Sequence, residues 1–90
     1  MIAHKVMFYV YILKSQTNGD VYVGYSTDLK QRFAEHNSGK VKSTKPNIPW
    51  KLIYYEAYLA KLDATKREKQ LKMHKAKTDL REQLKNSLSN

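Results

Sequence analysis

Residues 8–26, FYVYILKSQTNGDVYVGYS, decide how this chain of 90 residues begins to fold. From Met7 to Leu13, aromatic, β-branched and other apolar residues occupy both faces, a pattern typical of a central strand. The pair Asn18-Gly19 lies in the following turn, because it readily adopts the positive φ angles that a tight reversal needs. Asp20 to Tyr25 then returns as a second strand. The stretch therefore predicts a β-hairpin.

The rest of the chain predicts one more strand and three helices, in the order β-β-α-β-α-α. Asp28 is a suitable helix N-cap with Gln31 three residues later, so a helix is expected from about Asp28 to Asn37. A chain this short has room for one domain, residues 1–90. The later elements are a strand from Trp50 to Tyr58, with Leu52, Tyr54 and Tyr58 on one face and Ile53, Tyr55 and Ala57 on the other, a helix from Ala60 to about Met73, and a last helix marked by Leu80, Leu84 and Leu88.

The charge of the chain points to a polyanionic partner. Seventeen Lys and Arg residues against eight Asp and Glu give a formal net charge of +9, which favours nucleic acid. A lysine-rich surface that serves solubility is the alternative. Gly39 to Pro49 holds Lys40, Lys42 and Lys45 without an acidic residue, so we expect a mobile loop that faces the polyanion. Arg67 and Lys72 are further candidate nucleic-acid contacts.

Composition also bears on the cellular compartment in which the protein is expected to act. No cysteine is present, which excludes a disulfide framework and thiolate metal sites and is compatible with a reducing cytoplasm. The longest apolar run, Val6 to Leu13, is too short to span a bilayer. Lys14-Ser15-Gln16 follows it where a signal peptide would need small residues for cleavage. We therefore expect a cytoplasmic protein that does not bind membranes.

Helical geometry places two polar residues beside a buried stripe. On the helix after Asp28, Leu29 and Phe33 form the apolar stripe, and Arg32 and His36 border it because residues four apart share a face. Both side chains should then face the edge of the sheet. The alternatives are an arginine whose methylenes cover apolar surface and a histidine that interacts with the helix dipole.

Glu68 and two tyrosines complete the set of candidate site residues. Glu68 lies beside a narrow face of small and apolar residues, so it should project from the rim of the packed helix. An ordinary surface pair with Lys72, four residues on, is the alternative. Tyr11 and Tyr22 lie on the two hairpin strands and can be cross-strand neighbours. Gly24 should leave a gap beside Tyr22 where a phosphate could approach the backbone.

These residues resemble the GIY-YIG nuclease domain from Phe8 to Lys77, and above all its short stand-alone bacterial members. The domain also occurs as the catalytic part of an excision-repair incision nuclease and of homing endonucleases. Tyr9 stands where the first motif of the family has glycine, and Leu80 stands where longer members carry asparagine. The matching stretches are Tyr9-Val10-Tyr11, Tyr22-Val23-Gly24, Asp28-Leu29, Arg32, Glu35-His36-Asn37, Pro49-Trp50-Lys51-Leu52 with Tyr54, Ala64, and Arg67-Glu68-Lys69.

The resemblance implies an α+β fold, with a small three-stranded antiparallel sheet flanked by helices. It also implies a metal-dependent endonuclease that hydrolyses phosphodiester bonds, and DNA rather than RNA is the expected substrate. Tyr11 and Tyr22 match the paired tyrosines, Arg32 the phosphate-contacting arginine and Glu68 the sole metal ligand. His36 matches a position that is histidine in some members and tyrosine in others.

A single carboxylate suits one Mg²⁺ or Mn²⁺ ion that keeps several waters. Tyr22, with Tyr11 close by, would deprotonate the attacking water. Because an unperturbed tyrosine has a pKa of about 10, Arg32, His36 or nearby lysines would have to favour the phenolate.

Sequence specificity should be low, unless a protein partner supplies it. Two alternatives remain open. One is a catalytically inactive nucleic-acid-binding module of the same fold, and the other is an adaptor whose leucine stripe pairs with a partner helix.

Overall fold

A hairpin and a third strand form the centre of the fold, which we describe from a computed structural model for residues 6–75 and 84–88. Leu80, which the sequence assigned to the last helix, lies outside these residues. No helix within them is long and apolar enough to cross a membrane. The elements in chain order are β1 (Phe8–Ser15), β2 (Val21–Ser26), α1 (Leu29–Asn37), a short 3-10 helix (Lys45–Asn47), β3 (Trp50–Tyr58), α2 (Lys61–Lys75) and α3 (Lys85–Leu88).

β1 is the central strand, because the sheet order is β2-β1-β3 and both pairings are antiparallel. The predicted three-stranded antiparallel sheet flanked by helices is thus confirmed. Val10 and Ile12 point to one side, here called the Val10 face, where Ala64 of α2 packs against them. Tyr11 and Leu13 point to the other side, the Tyr11 face, which α1 covers. Both faces of β1 are buried, which explains its continuous apolar sequence.

In the hairpin turn, Gly19 is the residue that adopts a left-handed backbone conformation. Gly19 has a φ of 77°, whereas Asn18 is not among the positive-φ residues of the described part of the chain. The Ser15 amide donates to the Asp20 carbonyl at 2.8 Å, and the Gly19 amide donates to the Ser15 carbonyl at 3.0 Å. The predicted reversal is confirmed, but its positive φ angle is confined to Gly19.

An irregularity in β3 redirects one side chain. Ile12 of β1 pairs with Tyr54, but Leu13 pairs with Leu52, so Ile53 is an extra residue in the ladder. Such a bulge breaks strict alternation. Ile53 and Tyr54 both pack in the core of the Val10 face, while Leu52 packs on the Tyr11 face. The sequence prediction that Leu52 shares a face with Tyr54 is therefore wrong.

The lysine-rich loop between α1 and β3 is anchored at several points. Asn37 is the key residue: its side-chain amide donates to the Trp50 carbonyl at 2.9 Å, and its side-chain oxygen accepts from the Trp50 amide at 2.6 Å. The Ser15 hydroxyl donates to the Asn47 carbonyl at 2.7 Å, and Thr17 donates to the Ile48 carbonyl at 2.8 Å. The C-terminal end of the loop is therefore bonded to the hairpin, and the predicted mobility of the loop stays a prediction. The lysines that it exposes are Lys40, Lys42 and Lys45.

Glu56 ties α2 to β3 on the Val10 face. Arg67 Nε donates to both Glu56 carboxylate oxygens, at 3.0 and 3.1 Å. The hydroxyls of Tyr54 and Tyr58 donate to the same carboxylate. Burial by itself would raise the Glu56 pKa, but these hydrogen bonds and the Arg67 charge lower it. The Arg67 guanidinium is therefore held against β3, and its predicted contact with nucleic acid stays a prediction.

We expect Glu56→Gln to lower the free energy of unfolding by about 1–3 kcal/mol, because Arg67 loses a charge-assisted, doubly hydrogen-bonded partner. Urea denaturation measures the effect. Lys72→Gln is the matched control: it removes an i,i+4 ion pair with Glu68 in which the lysine side chain is 53% exposed. Exposed pairs of this kind contribute about 0.5 kcal/mol or less. Equal losses in the two variants would show that Glu56 does not hold α2.

Candidate active site

A buried chain of three side chains lies on the Tyr11 face. The Tyr11 hydroxyl is 2.7 Å from His36 Nε2, and His36 Nδ1 is 2.8 Å from Thr44 Oγ1. None of the three residues is more than 1% exposed. The Thr44 hydroxyl, which has one proton, donates to the Val41 carbonyl at 3.3 Å. We therefore assign the His36 proton to Nδ1, so that Nε2 accepts from the Tyr11 hydroxyl.

Burial keeps the Tyr11 phenol and the His36 imidazole uncharged. It lowers the pKa of His36 to about 4, and the nearby Arg32 charge acts in the same direction. Burial also raises the pKa of Tyr11 to about 12; the neighbouring Tyr22 adds to this and Arg32 partly offsets it. At neutral pH both groups are uncharged. Arg32 and His36 were both expected to favour a tyrosine phenolate. Arg32 does lower the Tyr11 pKa in part, against the larger effect of burial, whereas His36 is neutral and cannot contribute charge.

The neutral His36 should make stability depend on pH. An unfolded histidine has a pKa of about 6.5, and in the fold the pKa is about 4. Between these values the unfolded chain binds a proton that the folded chain excludes, so the free energy of unfolding decreases as pH falls through this window. The full decrease is on the order of 3 kcal/mol. Urea denaturation between about pH 7 and pH 5 checks it.

His36→Gln is the control for that titration, since glutamine cannot gain a proton. Its stability should change little over the same range. The Glu56 carboxyl does not interfere, because its pKa is lowered from an ordinary value of 4.5. Wild-type stability that stays flat between about pH 6.5 and pH 5 would contradict a buried neutral His36.

Tyr11 and Tyr22 are diagonal neighbours across the hairpin. Tyr11 pairs with Gly24, and Leu13 pairs with Tyr22, which places both tyrosines on one face. Their ring centroids are 6.4 Å apart, and the Tyr22 ring is 4.9 Å from the His36 ring. The expected proximity of the two tyrosines is confirmed. Tyr11 is sealed, whereas Tyr22 is partly exposed.

Gly24 is required by the phenol of Tyr11. A Cβ atom at position 24 would lie 2.3 Å from both Cζ and Oη of Tyr11. The ring therefore rests on the glycine backbone. The expected open gap for a phosphate beside Gly24 is wrong, because the Tyr11 ring fills that space.

Arg32 borders the tyrosines from α1, with its side chain 38% exposed and Nη1 3.1 Å from the Glu35 carboxylate. Its pKa is raised first by Glu35, and also by Tyr11 and Tyr22. The guanidinium is thus within electrostatic reach of both phenols. Because its ion pair with Glu35 is at the surface, it costs little to exchange that partner for a phosphate.

Glu68 approaches the same site from α2. Its side chain is 21% exposed, and Lys72 Nζ is 3.0 Å from its carboxylate, so the pair expected as an alternative does form. Burial is the main cause of the raised Tyr11 pKa, and the Glu68 charge adds to it. The carboxylate therefore acts on Tyr11, although α2 packs on the opposite face of the sheet.

Thr44 is a site residue that the sequence did not indicate. A threonine in a lysine-rich loop has no periodic neighbours to show that it is buried. In the fold its hydroxyl holds His36, and its carbonyl accepts from Trp50 Nε1 at 2.8 Å. Trp50 connects this loop to Tyr22, since their rings are 6.2 Å apart.

The side chains available as metal ligands suit a cation that keeps most of its water ligands better than one coordinated by protein groups alone. Across residues 6–75 and 84–88, no three His, Asp or Glu side chains lie close enough to hold a metal ion. Glu68 offers one partly buried carboxylate. One carboxylate with substrate phosphate oxygens and waters is a usual environment for Mg²⁺. The site therefore fits a cation that binds together with its substrate.

The chain is similar to known proteins along most of its length. The model of the GIY-YIG catalytic domain matches residues 7–82. A UPF0213 protein of Streptococcus pneumoniae is 43% identical over 68 residues, which cover 74% of this chain and 68% of that protein. A UPF0213 protein of Staphylococcus epidermidis is 42% identical, over 73% of this chain and 80% of its own length. The solution NMR structure of the UPF0213 protein BH0048 from Bacillus halodurans is 34% identical and superposes with a TM-score of 0.55, covering 89% of this chain and 83% of that one.

Proposed function

The chain belongs to the GIY-YIG catalytic domain family, in its UPF0213 group, and on that premise we propose that it is an endonuclease that hydrolyses DNA phosphodiester bonds. One Mg²⁺ or Mn²⁺ ion, with Glu68 as its protein ligand, would supply positive charge at the phosphate. The observation that supports this proposal is that the charges of Arg32 and Glu68 both act on Tyr11, which lies beside Tyr22 and His36. A basic cleft that only bound nucleic acid would have no use for the carboxylate.

Tyr22 is the better candidate to accept the proton of the attacking water. It is partly exposed, so a water can reach its hydroxyl oxygen. Arg32 lies close enough to interact electrostatically with it. Tyr11, in contrast, is buried and neutral with its proton directed at His36. In this proposal Tyr11 and His36 form the wall that orients Tyr22.

Arg32 and the anchored loop would hold the DNA backbone. The Arg32 guanidinium borders Tyr11 and Tyr22, and it would stabilise the negative charge that develops on the phosphate. Lys40, Lys42 and Lys45 are exposed on a loop whose C-terminal end is bonded to the hairpin. Binding should be mostly electrostatic and weak in sequence preference, with any specificity supplied by a protein partner. A reducing cytoplasm suits a chain without cysteine, and we propose that it acts there.

Cleavage of a panel of labelled DNA and RNA structures tests the proposal. We expect cuts in DNA with Mg²⁺ or Mn²⁺ and none with chelator. Binding is measured on the same panel in chelator. Tight, salt-sensitive binding without any cleavage would instead identify a nucleic-acid-binding module. Absence of both would contradict a role on nucleic acid.

A further inference from the structure

An apolar groove lies next to the candidate active site on the Tyr11 face. It encloses about 470 Å³, a volume typical of small-ligand sites. Its polar rim carries Thr27, Asp28 and Lys30. Its walls and floor, here called the Tyr9/Tyr55 groove, are formed by Tyr9, Tyr55, Leu29, Phe33 and Leu52.

The Tyr9/Tyr55 groove is continuous with the site. Tyr9 precedes Tyr11 by two residues on β1, so the two side chains share a face. Tyr55 is the direct β3 partner of Tyr11. The Tyr9 and Tyr55 rings are 6.1 Å apart in an edge-to-face arrangement. Leu29 and Phe33 of the groove pack against the cluster that contains Tyr11, and Arg32 interacts with Tyr11, so a molecule whose phosphate meets Arg32 can place its neighbouring group in the groove.

The aromatic surface of the groove is open. Tyr55 is 54% exposed, although a large aromatic residue in a strand of a small protein usually packs inward. The protein therefore keeps an aromatic ring at the surface beside the helix that carries Lys30 and Arg32 and beside a candidate phosphate site. Aromatic side chains next to positive charge form a stacking platform for nucleobases, and such stacking tolerates any base.

We propose that the Tyr9/Tyr55 groove binds one unpaired nucleobase, that of the nucleotide adjacent to the phosphate held by Arg32. The inference rests on the proposed function, because it assumes that nucleic acid reaches Arg32. The volume suits a base with its sugar, and an unpaired base, unlike one stacked within a duplex, can offer its face to the aromatic rings. The Thr27 hydroxyl and the Asp28 carboxylate at the rim can hydrogen-bond to base edges, and Lys30 can approach the neighbouring phosphate.

A nucleobase is favoured over the other occupants of such a groove. A second copy of this chain would bring together two molecules of formal charge +9, which repel each other. A nucleotide brings negative charge to a chain of formal charge +9 and a planar ring to the aromatic walls. Charge complementarity and ring geometry thus point to the same ligand.

The test compares two oligomers of equal charge in the presence of chelator, so that no cleavage occurs. One is a short oligothymidylate, and the other is an abasic chain of the same length that keeps every phosphate and lacks every base. We expect wild type to bind the abasic chain about five- to tenfold more weakly, the lower range for stacking of one base. The Tyr9→Ala/Tyr55→Ala variant should bind both oligomers alike.

Matched variants separate stacking from other effects. Tyr9→Phe/Tyr55→Phe keeps both rings and should retain the preference for the base-containing oligomer. Tyr55→Ala alone alters an exposed side chain, so it keeps the test decisive if the double alanine variant fails to fold. Equal binding of the two oligomers by wild type, or an undiminished preference in Tyr55→Ala, would overturn the proposal. So would a dimer in sedimentation that Tyr55→Ala dissociates. Failure to bind either oligomer by a protein that still cuts the DNA panel would also overturn the proposal, whereas failure on the oligomers and on the whole panel would refute the proposed function.

Discussion

Glu68→Gln is expected to reduce metal-dependent DNA cleavage by at least about a thousandfold, since loss of the metal ligand forfeits several kcal/mol of charge stabilisation in the transition state. Glutamine keeps the size of the side chain and its place on α2, but it lacks the charge that attracts a divalent cation. Single-turnover cleavage with Mg²⁺ and with Mn²⁺ measures the loss. Titration of Mn²⁺ by its paramagnetic signal, in the presence of DNA, gives a second readout that does not depend on turnover.

Lys72→Gln is the matched control for this result. It breaks the same Glu68–Lys72 ion pair but leaves the carboxylate in place. Cleavage should fall only as far as the loss of one candidate nucleic-acid contact weakens DNA binding, and the Mn²⁺ affinity should not fall, because a competing cation has been removed. If Glu68→Gln cleaves DNA at the wild-type rate, Glu68 does not hold the metal and the proposed mechanism is wrong.

Gly24→Ala should both destabilise the fold and disable the site. The added methyl group would lie 2.3 Å from Cζ and Oη of Tyr11 and 2.6 Å from its Cε1. Tyr11 cannot swing aside freely, because it is 1% exposed and bonded to His36. Overpacking of this kind costs about 1–3 kcal/mol. We expect that loss in urea denaturation, together with a fall in cleavage at temperatures where the variant is still folded.

A double-mutant cycle shows whether the Tyr11 ring is the cause. In a Tyr11→Ala background the ring is gone, so adding Gly24→Ala should cost much less than it does in wild type. A cost that stays the same in both backgrounds would mean that position 24 is intolerant for another reason. A large coupling free energy would instead establish that Gly24 is needed to make room for the Tyr11 ring.

Local signals made much of the fold predictable. The bounds of β3, Trp50–Tyr58, follow from a run of β-forming residues after a proline. The start of α1 follows from its N-cap, since the Asp28 carboxylate accepts a hydrogen bond from the backbone N–H of Gln31 at 3.0 Å. Gly19 carries the turn, as its conformational freedom indicates. In each case the responsible interaction lies within a few residues of the element that it determines.

The remaining features depend on contacts between distant segments. Thr44 is buried only because the loop folds back on His36, eight residues earlier. The displaced Leu52 results from the register between β1 and β3, which no pattern within β3 reveals. The space beside Gly24 is filled by Tyr11 from the neighbouring strand. Periodicity gives the face of a side chain only where the ladder is regular, and the neighbour that occupies the adjoining space is set by tertiary packing.

The packing of α1 and α2 on opposite faces also divides the candidate site residues between two packing clusters. Tyr11, Tyr22 and His36 are held within the sheet, α1 and the anchored loop, whereas Glu68 belongs to a helix that docks on the other side. Proteins open in cooperative segments whose stabilities differ, and hydrogen exchange measures them separately. An opening that releases α2 alone would leave the phosphate-facing residues assembled and remove the carboxylate. Under the proposed mechanism, a partly open molecule could then hold DNA without cutting it.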